Sequence, residues 1–278
     1  MAGGREVTPR RWRILSFLAL HGMATTGDVA VVAGVPRLTA HRDLTWLHAA
    51  GLVGRERSAE DRAHAWWYRI TGEGVGLLGR DLVSSGRPVP LQLGQRHWGA
   101  AHYLLFLPLL EVSRRYADRC GLFQWLTTLD TSAWLRERRL AHLRADGYGV
   151  WLEDGRCVRF LVHVDPGPVG EVIAERERST AGLAAVLAGY RRTDPTVPVG
   201  TVLVIAQDAT REANLLTDLV NRPLRAPIAV TTVEMLRQHW PHEQVWRIPG
   251  EGTARHRLLD LSPSVGAVPA DLKVAEPQ

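Results

Sequence analysis

The sequence predicts an α/β protein, α+β overall, with an N-terminal unit of three helices and a strand hairpin and a second unit with a mixed sheet. Three observations support this. Helix start and stop signals dominate the first 50 residues, strand and helix patterns alternate after residue 100, and a Ser/Gly/Pro-rich stretch lies between them at residues 84–90. We therefore expect a domain at residues 1–86, a second at 91–250 and a partly disordered C-terminal tail at 251–278.

Capping residues mark the first two helices. Thr8 is a favoured cap residue, and Pro9 after it is a favoured first-turn residue. Apolar residues at helical spacing follow, and the helix is expected to continue to residue 21. Thr25 with Asp28 has the spacing of a capping box and opens a short helix that ends at Gly34. Both helices are thus defined by local signals at their two ends.

A third helix is expected over residues 36–50, closed by Gly51 in the left-handed conformation. Ala40, Leu44 and Leu47 form its inward stripe. The remaining polar side chains point outward and offer hydrogen-bond donors: Arg37, Thr39, His41, Arg42 and Thr45.

Two β-prone runs follow this helix. Residues 52–57 and 66–70 flank a polar loop and predict a hairpin, after which Thr71 starts another helix. The hairpin region carries three arginines: Arg55, Arg57 and Arg62.

Residues 39–53 resemble the recognition helix and first wing strand of bacterial winged-helix regulators. Such a helix fits the major groove of double-stranded DNA, and wing arginines contact phosphates. Residues 1–90 hold 12 Arg and 8 acidic residues, a charge of +4 against +1 for the rest of the chain. This favours DNA binding, although winged helices also serve as protein-docking modules.

Composition narrows the class further. The chain has 278 residues and a net charge of +5, with Lys273 as its single lysine; part of its arginine bias reflects a GC-rich genome. Two cysteines, Cys120 and Cys157, cannot staple a chain of this length, and the longest apolar run, at residues 104–110, is too short for a membrane span. We expect a cytoplasmic protein with no membrane partner.

The second unit alternates helices and strands in the order α-β-β-β-α-β-α-β. This order is that of the restriction-endonuclease-like fold, named by its PD-(D/E)XK motif. The predicted elements are a helix at 95–118, strands at 122–128, 148–152 and 157–164, a helix at 171–191, a strand at 201–205, a helix at 210–221 and a strand at 228–230. The strands at 148–152 and 157–164 are expected to form a hairpin around residues 153–156.

Three strings in this unit, residues 143–151, 159–165 and 187–191, resemble the replication-relaxation family. The most specific is Asp-Gly-Tyr-Gly-Val-Trp at residues 146–151, and the resemblance runs from the winged helix to about residue 247. It implies a protein of bacterial plasmids or integrative elements, linked to DNA replication or transfer. Expected partners are double-stranded DNA, a relaxase, replication or conjugation proteins, and a second copy in a homodimer.

An endonuclease of this fold needs carboxylates that converge on a divalent metal, with a lysine near the attacking water. Asp146 and Asp165 match the positions of such metal ligands, and His163 points to the same strand face as Asp165. The family pattern, however, would place Glu at His163, an acid near Val169 and Lys near Val186. The catalytic set Asp146, Asp165 and His163 is therefore expected to be vestigial, with no cofactor, or with Mg or Mn if the site is active.

Three functions remain open at this point. The leading prediction is a DNA-binding protein of a mobile element, acting in replication or conjugative transfer, whose nuclease-like domain is inactive. The alternatives are a metal-dependent nuclease or nickase using Asp146 and Asp165, and a winged-helix transcriptional regulator. A Gly-x-Gly-x-x-Gly string at residues 74–79 lacks a surrounding βαβ unit and does not predict a dinucleotide site.

Overall fold

The computed structural model describes residues 7–57, 65–84, 99–126, 128–140, 143, 145–165, 180–188, 190, 200–224 and 226–261. It divides into two units, residues 1–100 and 101–278. The division lies later than the predicted end of the first domain at residue 86, and residues 85–98, which include most of the predicted linker, lie outside the described residues.

The N-terminal unit is a winged helix-turn-helix. Its elements are α1 (Pro9–His21), β1 (Met23–Thr25), α2 (Thr26–Ala33), α3 (Arg37–Ala49), β2 (Val53–Arg57), β3 (Trp66–Ile70) and α4 (Gly72–Ser84). The three strands form an antiparallel sheet in the order β1-β3-β2. The three helices and the hairpin confirm the prediction. Strand β1 was not predicted, because its three residues become a strand only by pairing with the distant β3.

The predicted caps are present. The Thr25 hydroxyl accepts a hydrogen bond from the Asp28 backbone N–H, and the Asp28 carboxylate accepts one from the Thr25 N–H at 2.7 Å. Gly34 ends α2 in the left-handed conformation, with φ of 66°. Because these bonds connect residues at most three apart, the sequence alone specifies them.

The glycine string at residues 74–79 lies inside α4. A Cβ at Gly74 would come within 2.4 Å of the Leu52 carbonyl oxygen, so the absence of a side chain allows α4 to approach the chain that leads into β2. Gly74 therefore serves helix packing.

The second unit contains a five-stranded mixed sheet. Its elements are α5 (Gly99–Arg115), β4 (Cys120–Leu126), α6 (Thr128–Glu137), β5 (Gly147–Glu153), β6 (Arg156–Val164), α7 (Thr180–Ala188), β7 (Thr201–Ala206), α8 (Ala209–Val220), β8 (Ile228–Thr232), α9 (Val233–Gln238) and a 3₁₀ turn (Leu258–Leu261). The strand order is β4-β5-β6-β7-β8; the first two pairings are antiparallel and the last two parallel. The mixed sheet is confirmed, whereas its restriction-endonuclease-like identity stays a prediction.

Alternate residues of the strands face two separate cores. Phe160, Leu203 and Trp151 pack on one side with α5 and the C-terminal segment, while Leu161 and Val204 pack on the other side with α7 and α8. All six residues of β7 are buried, as expected for a parallel strand covered on both faces.

The hairpin between β5 and β6 turns at Asp154 and Gly155, whose φ angles are 47° and 73°. Two successive positive φ values define a type I′ turn, which matches the twist of paired strands. The hairpin therefore lies at its predicted position and turns at the predicted residues.

Several predicted boundaries are wrong. Strand β4 ends two residues before the predicted residue 128, and the unpredicted α6 follows it. Helix α5 continues through Pro108, where the sequence predicts a kink or a break. Of the predicted helix at 171–191, the described part is α7; residues 171–179, 189 and 191 lie outside the described residues.

The first part of the segment expected to form the C-terminal tail is folded. Residues 251–261 pack into the second unit: Leu258, Leu259 and Leu261 are buried, and the Thr201 hydroxyl donates to the Leu261 carbonyl at 2.9 Å. A leucine cluster this short gives no periodic signal in the sequence. Its burial is evident only from its packing on the sheet. Residues 262–278 lie outside the described residues.

Among the helices of the described ranges, none has the length and apolar character needed to cross a bilayer.

Candidate nucleic-acid interface

Helix α3 separates a buried face from an exposed one. Ala40, Leu44 and Leu47 are fully buried, as predicted. Arg37, His41, Arg42 and Thr45 are exposed and Thr39 is half-buried, so the structure leaves the predicted contact residues on the surface of the unit. Arg37 also acts on Asp28, whose carboxylate its positive charge stabilises.

A buried carboxylate fixes the position of α3. Asp43, 2% exposed, accepts hydrogen bonds from the guanidinium groups of Arg10 and Arg11 on α1, the second at 2.9 Å. The Arg11 guanidinium carbon also lies 4.0 Å from the centroid of the Trp46 ring. Burial by itself would raise the pKa of Asp43, but the two arginines outweigh it and lower that pKa.

Sequence reasoning missed this contact, although the sequence contains a signal for it. Asp43 lies between Ala40, Leu44 and Leu47 on the inward stripe, and a carboxylate on an apolar stripe needs a cationic partner. The Arg10 and Arg11 pair is the partner, and its identity depends on how α1 crosses α3.

The hairpin presents two stacked arginines. Arg55 and Arg57 are exposed, and their guanidinium carbons lie 4.6 and 4.5 Å from the centroid of the Trp66 ring. Cation–π contacts of this kind hold guanidinium groups in place while leaving their N–H donors available. Arg62, the third predicted wing arginine, lies outside the described residues.

The opposite face of the hairpin differs in charge. Arg69 lies opposite Gly54 in the strand register. Because successive side chains of a strand point to opposite faces, Arg69 and Arg55 lie on different faces of the hairpin. Its side chain is 60% exposed and lies 4.0 Å from the Glu56 carboxylate. One face of the wing thus presents the two arginines stacked on Trp66, and the other carries Arg69 beside Glu56.

In the second unit, the candidate carboxylates have partners within the protein. The Asp146 carboxylate accepts a hydrogen bond from the Val164 N–H at 2.7 Å and so joins β6 to the start of β5. Both oxygens of Asp165, a fully buried side chain, accept hydrogen bonds from Arg211 at the start of α8. A metal ion at Asp165 would have to compete with this guanidinium.

His163 lies next to these groups but is enclosed. It is buried, and its Nε2 lies 2.6 Å from the Tyr190 hydroxyl. Burial lowers the pKa of His163 to about 4. Its imidazole is therefore neutral at physiological pH.

The pKa of His163 predicts a pH dependence of stability. An unfolded histidine binds a proton below about pH 6.5, whereas the folded protein does so only near pH 4, so the free energy of unfolding should rise as pH increases from 4 to 6.5. The contribution is up to about 3 kcal/mol. Urea unfolding across this range should show a shallower rise for His163→Gln. His239→Gln, at a half-exposed imidazole, is the control; an equal slope in both variants would contradict the assignment.

Within the described part of the chain, no group of three or more His, Cys, Asp or Glu residues is placed to hold a metal ion. Val186, where the family pattern has Lys, is half-buried on α7, and Val169 lies outside the described residues. At the candidate carboxylates the structure shows a backbone hydrogen bond to Asp146 and an ion pair between Asp165 and Arg211.

Comparison with known proteins identifies the class of the N-terminal unit. Residues 6–63 match the model of the MarR family. The unit is thus a MarR-like winged-helix domain, of a kind consistent with DNA binding or regulation. The family match ends before the second unit begins.

Solved structures resemble the chain over 28–29% of its length. One is NadR in complex with 4-hydroxyphenylacetate, which is 29% identical, covers 28% of this chain and 57% of its own, and has a TM-score of 0.26. A cysteine-to-serine mutant of MarR from E. coli, complexed with operator DNA, is 18% identical and has a TM-score of 0.28; the match covers 29% of this chain and 57% of the MarR chain. MepR in the S. aureus MepR–DNA complex is 21% identical and has a TM-score of 0.28; the match covers 29% of this chain and 65% of the MepR chain.

The chain thus spans less than two thirds of the length of these structures. No protein with a curated description matches it.

Proposed function

We propose that this chain is a sequence-preferring, double-stranded DNA-binding protein that places α3 in the major groove. The observation that carries the proposal is the exposed row of Arg37, His41, Arg42 and Thr45, which lies opposite a fully buried row on the same helix. Guanidinium, imidazole and hydroxyl groups are hydrogen-bonding partners of base edges in the major groove.

The wing supplies the contacts to the DNA backbone. Arg55 and Arg57 present guanidinium groups held against Trp66, and Arg62 lies between the two hairpin strands in the sequence. Phosphate contacts of this kind position a protein on DNA without reading its sequence. The charge of +4 on residues 1–90 favours the encounter with DNA.

One experiment separates these two roles. Arg42→Ala should weaken binding to a preferred duplex by about 5- to 150-fold and relax its sequence preference, because a base contact is lost. Arg55→Ala should weaken binding to all duplexes alike and reduce the salt slope by about one unit. Fluorescence anisotropy with a selected duplex and a random duplex, over a series of salt concentrations, measures both effects.

The matched control is Arg69→Ala, on the opposite face of the same hairpin beside Glu56. It removes the same charge from the unit and should leave both affinity and salt slope nearly unchanged. If Arg42→Ala and Arg55→Ala bind like the parent at every salt concentration, α3 and the wing are not the DNA interface.

The biological setting that we propose is a bacterial plasmid or integrative element, with a role in replication or conjugative transfer. It rests on the resemblance of residues 143–151 and 159–165 to the replication-relaxation family, and relaxase, replication or conjugation proteins are the corresponding partners. The MarR family match of residues 6–63 favours the second candidate, a transcriptional regulator. Footprinting distinguishes them: protection at an origin supports the first, and protection at a promoter supports the second.

For the second unit we propose a scaffold or dimerisation role on a nuclease-like frame. The bonds of Asp146 to Val164 and of Asp165 to Arg211 support a structural use of the carboxylates that a nuclease would give to metal. A homodimer would present two α3 helices to half-sites about 34 Å apart, one helical turn of DNA. Analytical ultracentrifugation and the spacing of protected half-sites test this arrangement.

A further inference from the structure

Leu38, the second residue of α3, is exposed on the helix that we propose to enter the major groove. Its exposed fraction is 62%, the highest of the three large apolar side chains that are exposed among the described residues; the others are Val220 and Tyr116. A single exposed leucine is ordinary on a protein surface. Its position on α3 is what makes it informative.

Leu38 lies on the exposed face of α3, near its N-terminal end. Residues three, four and seven positions further along a helix share a face, and from Leu38 these are His41, Arg42 and Thr45, all exposed. The buried Ala40, Leu44 and Leu47 lie on the other side of the helix. An apolar side chain is therefore flanked by the polar groups expected to contact bases.

The first turn of α3 also favours a base contact. Residues at the N-terminal end of a recognition helix are those that reach base edges in helix-turn-helix complexes. The apolar group that bases display in the major groove is the methyl on C5 of thymine, and 5-methylcytosine carries a methyl at the same position. A leucine at this point can bury that methyl group.

We propose that Leu38 packs against the C5 methyl of one pyrimidine in the bound duplex, so that the chain prefers a 5-methylpyrimidine at that position. The inference rests on the proposed function, since it requires α3 to lie in the major groove. Thymine and 5-methylcytosine offer the same contact, and the test below distinguishes them. Arg42 and His41 supply the polar contacts on either side.

The test uses the full chain and a duplex that the wild type selects from a random pool. Each thymine of the duplex is replaced singly by deoxyuridine, which removes only the methyl group. One replacement should weaken binding by about fourfold, the effect of one lost buried methyl. Leu38→Ala should bind the thymine and deoxyuridine duplexes equally. Alanine has a higher helix propensity than leucine, so the exposed substitution leaves α3 intact.

A second pair of duplexes identifies the source of the methyl group. With cytosine or 5-methylcytosine at the sensitive position, the wild type should prefer the methylated duplex by a similar factor, and Leu38→Ala should not. A preference for thymine over deoxyuridine without this second preference would restrict the contact to thymine. Val220→Ala, at an exposed valine on α8, should discriminate like the wild type in every comparison.

The outcomes separate the inference from the function on which it rests. If the wild type binds no duplex, or selects none from the pool, the proposed function fails and the inference fails with it. If the wild type selects a duplex but no deoxyuridine replacement weakens binding, or if Leu38→Ala still discriminates, the proposed function survives and the methyl contact is overturned.

Discussion

Replacing Asp43 with alanine is expected to lower the free energy of unfolding of the winged-helix unit by about 2–3 kcal/mol. Removing one partner of a buried ion pair costs about 3–5 kcal/mol when the other charge stays buried. Here the Arg10 and Arg11 side chains are 40% and 19% exposed, so water can solvate part of the charge that is left. Hydrogen exchange of the α1 and α3 amides measures this loss within one unit of the chain.

Glu73→Ala, at an exposed acid in the first turn of α4, is the control. It removes the same charge from the same unit and should change stability by less than about 1 kcal/mol. Equal effects of the two substitutions would mean that the Asp43 contact contributes no more than a surface charge does.

Asp43 also gives the winged-helix unit a defined acid sensitivity. Because its pKa is lowered in the fold, its stabilising contribution is complete above the unfolded pKa of about 4 and is lost as pH falls through the lowered value. The Asp43→Asn variant should therefore lose less stability than the wild type on acidification below pH 4.

The Asp43→Asn variant should also bind DNA more weakly at neutral pH, since α3 is no longer held against α1.

Replacing Asp165 with asparagine is expected to lower the stability of the second unit by about 2–4 kcal/mol. The Asp165 side chain is fully buried and the Arg211 side chain is 17% exposed, so the substitution leaves a guanidinium that is nearly enclosed. Replacing both, as Asp165→Asn with Arg211→Met, should restore part of the loss, because no charge is then buried alone. Thermal unfolding of the single and double variants gives the coupling energy.

The same variants distinguish a scaffold from a nuclease. If Asp165 is structural, adding Mg²⁺ or Mn²⁺ should raise the melting temperature of the wild type by no more than it raises that of Asp165→Asn. Supercoiled plasmid should stay intact with either metal. Nicking by the wild type that requires metal and disappears in Asp146→Ala would overturn the structural role and support the nuclease alternative.

Predictions from sequence succeeded where the deciding contacts are local. The Thr25 and Asp28 capping box joins residues three apart, and the turn at Asp154 and Gly155 joins adjacent strands. The inward stripe of α3 follows from the period of the helix, which also places the polar residues outward. The exposed row was therefore predictable as a surface.

Sequence reasoning failed where a residue's role depends on a distant partner. Helix α6 was missed because few apolar residues mark its inner face. The leucines of the 3₁₀ turn fall in the segment expected to form a tail, because their burial depends on a sheet built from residues 120–232. Asp165 matches the position of a metal ligand in the sequence, but nothing nearby in the chain indicates its contact with Arg211, which lies 46 residues away.

By itself, the sequence determined where the helices of the winged-helix unit begin and end, which side of α3 is polar, and that a basic N-terminal unit precedes a mixed sheet. Caps, turns and side-chain periodicity act over a few residues and need no other part of the fold. The tertiary structure alone decided that Asp43 holds α1 to α3, that Arg211 occupies the Asp165 carboxylate, and that His163 is neutral. Burial and charge pairing are set by residues that meet only after the chain has folded.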